Sequence, residues 1–366
     1  MVVIKPSDIP TGEPVTATAE YSTLKYVRTA AENVGVRIKR ETRIVPTLSF
    51  DILKSDLQIL AKLPEVKEIW YDFKTYTQLD SAGAKFGIPG IRQKYNVTGK
   101  GQTVYVLDVA MDLDHPALKN NVVGNLDLVK DPKWIDPEIE HHASHVGGSI
   151  ASNNSKYPGI APDAKLFSVK ILNSEGAGEM STIIEGIDQV IDHGGKLINL
   201  SVGGLNPTCI GTCPVCKAID KAAEQYNIIS VIAAGNSGFW PYTICCPGKS
   251  SAALTIGAID DDKNLAWFSS RSGLGSVDKP DLCAPGVDII SCSGNGKFMN
   301  MSGTSMATPW TSGNVCLILE LSKSGLDPAV IKDILKDTAD GGMMYNTGAG
   351  AINIDKALQF IQSSIR

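Results

Sequence analysis

The sequence has no run of about 18 consecutive apolar residues, so it predicts no transmembrane helix. Neither sign of charge dominates, because the chain has 34 lysines and arginines and 39 aspartates and glutamates, which give a net charge of -5. This balance favours neither a nucleic-acid partner nor a polybasic membrane anchor. The first residues, MVVIKPSDIP, lack the basic and apolar regions of a secretory signal. We therefore expect either a trimmed signal or a protein that stays inside the cell.

Cysteine is missing from the first 208 residues, and all eight cysteines lie between Cys209 and Cys316. Three occur in CIGTCPVC and two in ICCPG. Their even number suits a disulfide-stapled protein, and buried thiols with one or two pairs are an equal alternative. A zinc or iron–sulfur site at Cys209, Cys213 and Cys216 is a third alternative. It is less favoured, because the sequence shows no matching second ligand cluster.

Residues up to about 76 alternate between strand and helix patterns. The order is βαββαβ, with helices predicted in STLKYVRTAAENV and KSDLQILAKL, which predicts a small split-βαβ domain. The segment carries no catalytic constellation, so a chaperone or inhibitor role suits it better than catalysis. The small, turn-forming residues of TYTQLDSAGAKFGIPG then predict an exposed linker.

The rest of the chain has five continuous apolar runs of strand length, with helical patterns between several of them. The runs are TVYVLDV, KLFSVKIL, KLINLSV, IISVIAA and ALTIGAI. Strands that are apolar on both faces predict an α/β fold in which helices cover both faces of a parallel sheet. Reactive groups collect at the carboxyl ends of such strands. Polar residues stand at these ends: Asp108, Asn199, Ser201 and Asn236.

The stretch MSGTSMATP places Ser305 after a small-residue turn and before an apolar helix. A serine at a helix start is usually an N-cap. Its hydroxyl would also lie beside unpaired backbone N–H groups at the positive end of the helix dipole, which can stabilise an oxyanion. The order in which an aspartate ends a strand, a histidine starts a helix and this serine follows favours catalysis.

The motifs VLDVAMDLDHPAL, HASHVGG and GTSMATP, with SVGG and AAGN between them, resemble the subtilisin family of serine proteases. The likeness runs from about Gly99 to the end of the chain. The first domain resembles the family's propeptide. The resemblance implies a propeptide at residues 1–79, a catalytic domain at residues 80–366, and self-cleavage between Tyr76 and Asp80. The protein would then be a zymogen of a serine endopeptidase.

The resemblance also assigns catalytic roles. Ser305 would be the nucleophile, His142 the general base and Asp108 the group that orients the imidazole. Asn236 would donate a hydrogen bond to the oxyanion together with the backbone N–H of Ser305. His145 matches the family's structural histidine, and His141 is expected to be an exposed neighbour of the base. The histidine cluster is not expected to bind metal, because only Glu138 and Glu140 stand nearby as further ligands.

The resemblance predicts that a substrate polypeptide lies as an added strand between two backbone segments. These segments and the wall of the S1 pocket comprise ten residues: Ser201, Val202, Gly203, Gly176, Ala177, Gly178, Ala233, Ala234, Gly235 and Cys245. Cys245 occupies the floor of that pocket. A thiol there suggests a medium-sized, apolar P1 side chain.

Some residues depart from the family's pattern. Val109 and Ala110 follow the aspartate where the family usually has Thr or Ser and then Gly, so a weak or inactive pseudo-protease that acts as a binding protein is the alternative function. Trp310 replaces a histidine that the family often has, which is expected to alter packing more than chemistry. Ala117 in HPAL and the shortened SNNSKYPGIAP suggest that the family's tight calcium site is lost.

The remaining expectations concern partners. The chemistry needs no cofactor, although structural calcium elsewhere is possible and the metal content is unknown. Polypeptide substrates and the chain's own propeptide, bound as an inhibitor, are the expected partners. Nucleic acid and membranes are not, and a monomer is expected. The propeptide and the cysteine count favour secretion.

Overall fold

A computed structural model describes residues 14–19, 24–33, 38–42, 47–51, 62, 64, 66–71, 86–130, 141–178, 180–205, 209–238, 240–273, 278–323, 325–341 and 348–364. The chain divides into two compact units, Met1–Thr77 and Gln78–Arg366. Within the described residues, none of the helices combines the length and the apolar character needed to cross a membrane.

The first unit contains one antiparallel sheet and one described helix. Its elements are β1 (Pro14–Ala19), α1 (Leu24–Asn33), β2 (Ile38–Thr42), β3 (Thr47–Asp51) and β4 (Val66–Tyr71). The sheet order is β2-β3-β1-β4, and Val27 and Ala31 on α1 are fully buried. The helix predicted in KSDLQILAKL lies outside the described residues except for Lys62, so the full βαββαβ order stays a prediction.

The second unit contains the other elements. They are α2 (Ile88–Tyr95), β5 (Thr103–Asp108), β6 (Val122–Asp127), α3 (His142–Ala151), β7 (Lys165–Lys170), α4 (Met180–Asp192), β8 (Leu197–Leu200), α5 (Pro214–Tyr226), β9 (Ile229–Ala233), β10 (Leu254–Ile259), β11 (Leu282–Pro285), β12 (Ile289–Ser293), β13 (Lys297–Met301), α6 (Thr304–Ser322), α7 (Pro328–Asp337) and α8 (Ile354–Ser364).

A seven-stranded sheet organises this unit, in the order β11-β10-β9-β8-β5-β7-β6. All its strand pairs are parallel. The five strands between the two edges are the five apolar runs predicted from the sequence, and β8, β9 and β10 are buried at every residue. The predicted α/β fold with a parallel sheet is therefore confirmed for this unit.

The parallel arrangement brings polar residues to one edge of the sheet. Asp108 is the last residue of β5, Ser201 follows β8, and Asn236 lies three residues after β9. The long helix α6 is buried along most of its length and packs against β8, β9, β10 and β11. Its amino terminus carries Ser305, so the buried helix positions that residue at the same edge as Asp108.

Candidate active site

Asp108 and His142 form a hydrogen-bonded pair. Asp108 is fully buried at the end of β5, and His142 begins α3. The Nδ1 of His142 lies 2.8 Å from Oδ1 of Asp108 and 3.0 Å from Oδ2. Since a carboxylate accepts hydrogen bonds, Nδ1 carries the hydrogen and Nε2 of the neutral ring is left as the basic nitrogen. The pair can therefore remove a proton from a group on the Nε2 side.

The charge state of His142 is set by two opposed effects. Burial disfavours the charged ring, but the negative charge of Asp108 and the hydrogen bond to it outweigh burial, so the pKa of His142 lies above its ordinary value of 6.5. Its side chain is 21% exposed. The imidazole therefore accepts protons more readily than an isolated histidine while remaining open to the cleft.

The backbone supports the Asp108 carboxylate in spite of the unusual residue that follows. The Val109 N–H donates a hydrogen bond of 2.7 Å to Oδ1 of Asp108. Val109 itself is buried. Val109 offers no side-chain hydroxyl, but its backbone N–H gives Asp108 a donor other than His142.

Ser305 is the second residue of α6 and lines a cleft of about 620 Å³ together with Asp108 and His142. Its hydroxyl donates a 2.8 Å hydrogen bond to the carbonyl oxygen of Ser201, and the Ser201 hydroxyl donates one of 3.0 Å to the Ser305 carbonyl oxygen. Among the described residues, no hydrogen bond joins the Ser305 hydroxyl to His142. The three side chains thus share one cleft, with the serine turned to the Ser201 backbone.

Asn236 lines the same cleft, and Thr304 orients its amide. Both the backbone N–H and the hydroxyl of Thr304 donate 2.9 Å hydrogen bonds to Oδ1 of Asn236. The Thr304 hydroxyl in turn accepts a 3.2 Å bond from the Gly235 N–H. Because the amide oxygen is held in this way, the Asn236 NH₂ group is turned towards Gly303, next to the backbone N–H of Ser305.

The cleft gathers most of the predicted site residues. Eleven of the fourteen line it: Asp108, His142, Gly176, Ser201, Val202, Gly203, Ala233, Gly235, Asn236, Cys245 and Ser305. Ala177, Gly178 and Ala234 are not among its lining residues. Ala177 pairs instead with Asn173, its carbonyl accepting a 2.8 Å bond and its N–H donating one of 2.9 Å. The Ala234 carbonyl accepts a 2.9 Å bond from the Cys245 N–H.

Several lining residues were not predicted from the sequence. They are Val109, Leu172, Glu175, Leu205, Ser237, Met301 and Thr304. The sequence could have indicated Thr304 as a site residue, since it stands beside Ser305 in GTSMATP at the start of the helix. It could also have indicated Met301, since this residue opens the motif MSGTSMATP. Leu172 follows β7 outside the recognised motifs, so no local pattern pointed to it.

The neighbouring histidines have structural roles. His145 is fully buried, and its Nε2 lies 2.8 Å from the Ile289 carbonyl oxygen. Burial lowers the pKa of His145 to about 4, so the ring is neutral near pH 7. His141 was expected to be exposed but is half-buried, because its Nδ1 accepts a 2.8 Å hydrogen bond from the Gly294 N–H.

Comparison with known proteins decides the family. The model of the subtilase family matches residues 99–354. The chain belongs to the subtilase family. It is 31% identical to serine protease AprX of Bacillus subtilis (strain 168), over 88% of this chain and 81% of AprX. It is 33% identical to subtilisin DY of Bacillus licheniformis, over 75% of this chain and 98% of that protein.

Solved structures agree with this family. A cold adapted subtilisin-like serine proteinase superposes on this subtilase with a TM-score of 0.60 and 30% identity, covering 70% of this chain and 89% of that one. A mutant of the protease domain of PatA gives a TM-score of 0.64 and 26% identity, covering 72% and 98%. This subtilase is therefore a subtilisin-like serine endopeptidase, and polypeptides are its substrates.

Trp310 shows how this subtilase accommodates one departure from the family's pattern. The indole is 2% exposed and packs edge to face on Phe86, with 5.7 Å between the ring centroids. Trp310 does not line the cleft, which agrees with an effect on packing.

The oxygen donors near Ala117 suit calcium poorly. Position 117 offers only a buried methyl group, and Oδ1 of Asn154 accepts hydrogen bonds from the Lys156 and Tyr157 N–H groups. Calcium takes six to eight oxygen ligands. That the family's tight calcium site is lost stays a prediction, which this donor set supports.

The cysteines correct one expectation. All eight lie in described segments, and all are thiols rather than disulfides. The predicted disulfide staples are therefore not present. Burial raises the pKa of the Cys283 and Cys292 thiols to about 12, which disfavours the thiolate that disulfide exchange requires.

Proposed function

We propose that this subtilase cleaves peptide bonds through an Asp108–His142–Ser305 triad and an acyl-enzyme intermediate. The observation that carries the proposal is the 2.8 Å contact between His142 and buried Asp108 at the mouth of a cleft that Ser305 also lines. Rotation of the Ser305 side chain would exchange its bond to the Ser201 carbonyl for one to Nε2 of His142. In unliganded enzymes, catalytic hydrogen bonds are often long or poorly aligned and tighten only with substrate.

The steps follow from these groups. His142 takes the proton as Ser305 attacks the scissile carbonyl, and then gives it to the leaving amine. Asp108 keeps the ring in the required tautomer and stabilises the imidazolium. Water then attacks the acyl-enzyme, and His142 again acts as the general base. No metal or other cofactor takes part in these steps.

Asn236 and the Ser305 backbone N–H would form the oxyanion hole. The orientation of the Asn236 amide by Thr304 supports this assignment, because it presents the NH₂ group rather than the oxygen to the cleft. Gly303 leaves the space between these donors open. A donor fixed before reaction stabilises developing charge without the cost of reorganisation.

The substrate would bind as a strand beside Ser201, Val202 and Gly203. In the described part of the chain, the backbone groups of Val202 and Gly203 make no hydrogen bond and are open to pairing. Gly176 also lines the cleft, and Ala177 and Gly178, which follow it, are exposed. Backbone pairing of this kind binds polypeptides with little regard to sequence.

The S1 pocket would be formed by four residues: Ala233, Ala234, Gly235 and Cys245. Three of these line the cleft, and Ala234 supports the pocket through its backbone bond to Cys245. The thiol of Cys245 leaves room for a medium-sized apolar P1 side chain, which we propose as the preference.

Residues 1–79 would act as a propeptide that assists folding and inhibits the protease of residues 80–366, with cleavage between Tyr76 and Asp80. The many long-range pairings of a parallel sheet make folding slow, so a preformed partner is useful. We also propose that the mature enzyme is a secreted monomer. Secretion rests on the propeptide alone, since the cysteines are thiols.

The test compares the wild-type chain with Ser305→Ala. Wild type is expected to digest casein, to be labelled on Ser305 by a fluorophosphonate probe, and to acquire a new amino terminus between residues 76 and 80. Ser305→Ala should remain full length. A Ser201→Ala variant, which removes the hydroxyl that contacts Ser305 but keeps the nucleophile, should still be labelled.

The rival function is a binding protein with a retained propeptide, motivated by Val109 and Ala110. If the probe does not label a folded wild-type chain, the result favours this rival over the protease. Processing of Ser305→Ala at the wild-type rate would instead refute the choice of nucleophile.

A further inference from the structure

A second group of reactive side chains lies outside the triad. Four thiols, which we call the cysteine cluster, have all their sulfur atoms within 4.8 Å of one another: Cys209, Cys213, Cys216 and Cys246. The sulfurs of Cys213 and Cys216 are 3.3 Å apart. A tetrahedral zinc ion with bonds of about 2.3 Å holds its sulfur ligands about 3.8 Å apart. The cluster therefore has nearly the dimensions that such an ion imposes.

The spacing along the chain also suits a metal site. Cys209 and Cys213 are separated by three residues, and Cys213 and Cys216 by two. Ligand pairs of structural zinc sites are typically separated by two to four residues. The fourth ligand, Cys246, comes from a distant loop, which explains why the sequence alone shows only three.

The local backbone is arranged for negatively charged sulfur. The N–H groups of Gly211 and Cys213 lie 3.3 and 3.4 Å from the Cys209 sulfur and donate to it. Gly211 has a φ of 93°, and a Cβ there would lie 2.6 Å from the Lys249 carbonyl oxygen. Only glycine suits this turn. Hydrogen bonds to ligand atoms of this kind orient metal ligands and tune the metal.

Helix α5 adds to this environment. Cys213 occupies the N-cap position of α5, and Cys216 lies in its first turn. The positive end of a helix stabilises thiolates. Cys209, Cys216 and Cys246 are at most 7% exposed. Four sulfurs in a closed site leave no open position for water, which is typical of structural rather than catalytic zinc.

We propose that the cysteine cluster is a structural zinc site that fastens one wall of the substrate cleft. Gly204 and Cys246 exchange two backbone hydrogen bonds of 2.9 Å. Gly204 directly follows Ser201, Val202 and Gly203, which line the cleft and which the proposed function assigns to substrate binding, and Cys245 lines the same cleft. The ion would therefore join the loop of Cys209, the start of α5 and this wall.

The first test uses the full-length Ser305→Ala chain, which cannot digest itself. After dialysis, plasma mass spectrometry is expected to find about one zinc ion per chain. A mercurial reagent should release the zinc in step with modification of four thiols. Cobalt substitution should give the visible spectrum of a tetrahedral thiolate complex. No readout depends on turnover, so the result is separate from the proposed mechanism.

The second test replaces single cysteines in that background. Cys213→Ser should lower the zinc content below about one tenth of an ion per chain after dialysis against a chelator, and Cys213→His should restore it, because imidazole also binds zinc. Cys316→Ala is the control, since Cys316 is fully buried outside the cluster. It should keep its zinc.

Some outcomes would overturn the proposal. They are a metal-free Ser305→Ala chain, disulfides among the four cysteines under non-reducing mass spectrometry, stoichiometric iron in place of zinc, and equal zinc loss from Cys213→Ser and Cys316→Ala. The mercurial titration needs no cysteine variant, so the proposal can be refuted even where a variant fails to fold.

Discussion

Thr304→Val tests whether Thr304 positions the oxyanion donor. Valine keeps the shape of threonine but removes the hydroxyl that donates to Oδ1 of Asn236. The backbone N–H of residue 304 still donates to the same oxygen. The amide thus loses one of two bonds that orient it. Thr304 is a positioning residue in this scheme, because its hydroxyl orients Asn236 and also accepts a hydrogen bond from the Gly235 N–H.

The expected decrease in kcat follows from the energy of one hydrogen bond. A typical bond contributes about 0.5–1.5 kcal/mol, and about 1.4 kcal/mol changes a rate tenfold. Thr304→Val should therefore lower kcat about 2- to 10-fold, with KM little changed. Asn236→Ala removes the donor itself and should cost about 10²–10³ in kcat, a range measured for this donor in subtilisin.

The decisive assay is a double-mutant cycle on the mature enzyme with a chromogenic peptide. If Thr304 acts through Asn236, Thr304→Val in the Asn236→Ala background should change kcat less than about twofold. Thr311→Val is the matched control, since the Thr311 hydroxyl in the same helix bonds to the Ala307 carbonyl. Unchanged kcat in Thr304→Val, or two losses that multiply, would refute the reasoning.

Other predictions concern pH, stability and the oxyanion hole. The acid limb of kcat/KM should have its midpoint above pH 6.5, because the pKa of His142 is raised and activity is lost as pH falls through it. Asp281→Asn should lower the free energy of unfolding by about 3–5 kcal/mol, because it leaves Lys279 buried beside a neutral group. Gly303→Ala should lower kcat about 10²-fold, because its methyl group, 3.2 Å from the Asn236 Nδ2, would occupy the oxyanion position.

Each of these has an outcome that contradicts it. A midpoint below pH 6.5 would mean that Asp108 does not dominate the environment of the base. For stability, the control is Asp355→Asn, which breaks an exposed ion pair with Lys94. In the Ser305→Ala background it should lower the free energy of unfolding by less than about 1 kcal/mol. An equally small decrease in Asp281→Asn would contradict the argument. Full activity in Gly303→Ala would place the oxyanion elsewhere.

The sequence predicted the middle of the parallel sheet but not its edges. The five interior strands are continuous apolar runs because helices cover both faces. The edge strand β6 instead alternates between half-buried and exposed residues, and β11 ends in Pro285, a residue that disfavours a central strand. Neither has the apolar run of a central strand. Edge strands lack a neighbour on one side, so their patterns are weaker.

The proposed catalytic residues could be singled out because each stands in a local motif. Asp108 ends a strand, and His142 and Ser305 each lie at the start of a helix. The contacts that orient them were not predictable, since they join distant segments. Thr304 reaches Asn236 across 68 positions of the chain, and Cys246 meets Cys209 only after folding. Local patterns reveal which groups can react, whereas the contacts that orient these groups depend on tertiary structure.

Cys245 and Cys246 are consecutive, yet one lines the cleft and the other joins the cysteine cluster. If both proposals hold, the residue that follows Cys245 fixes the wall of the proposed S1 pocket to the zinc site. Replacing Cys245 with a smaller or larger side chain should change the volume of the pocket while the backbone stays in place. Protein engineers who wish to alter substrate choice would therefore begin at Cys245 and leave Cys246 untouched.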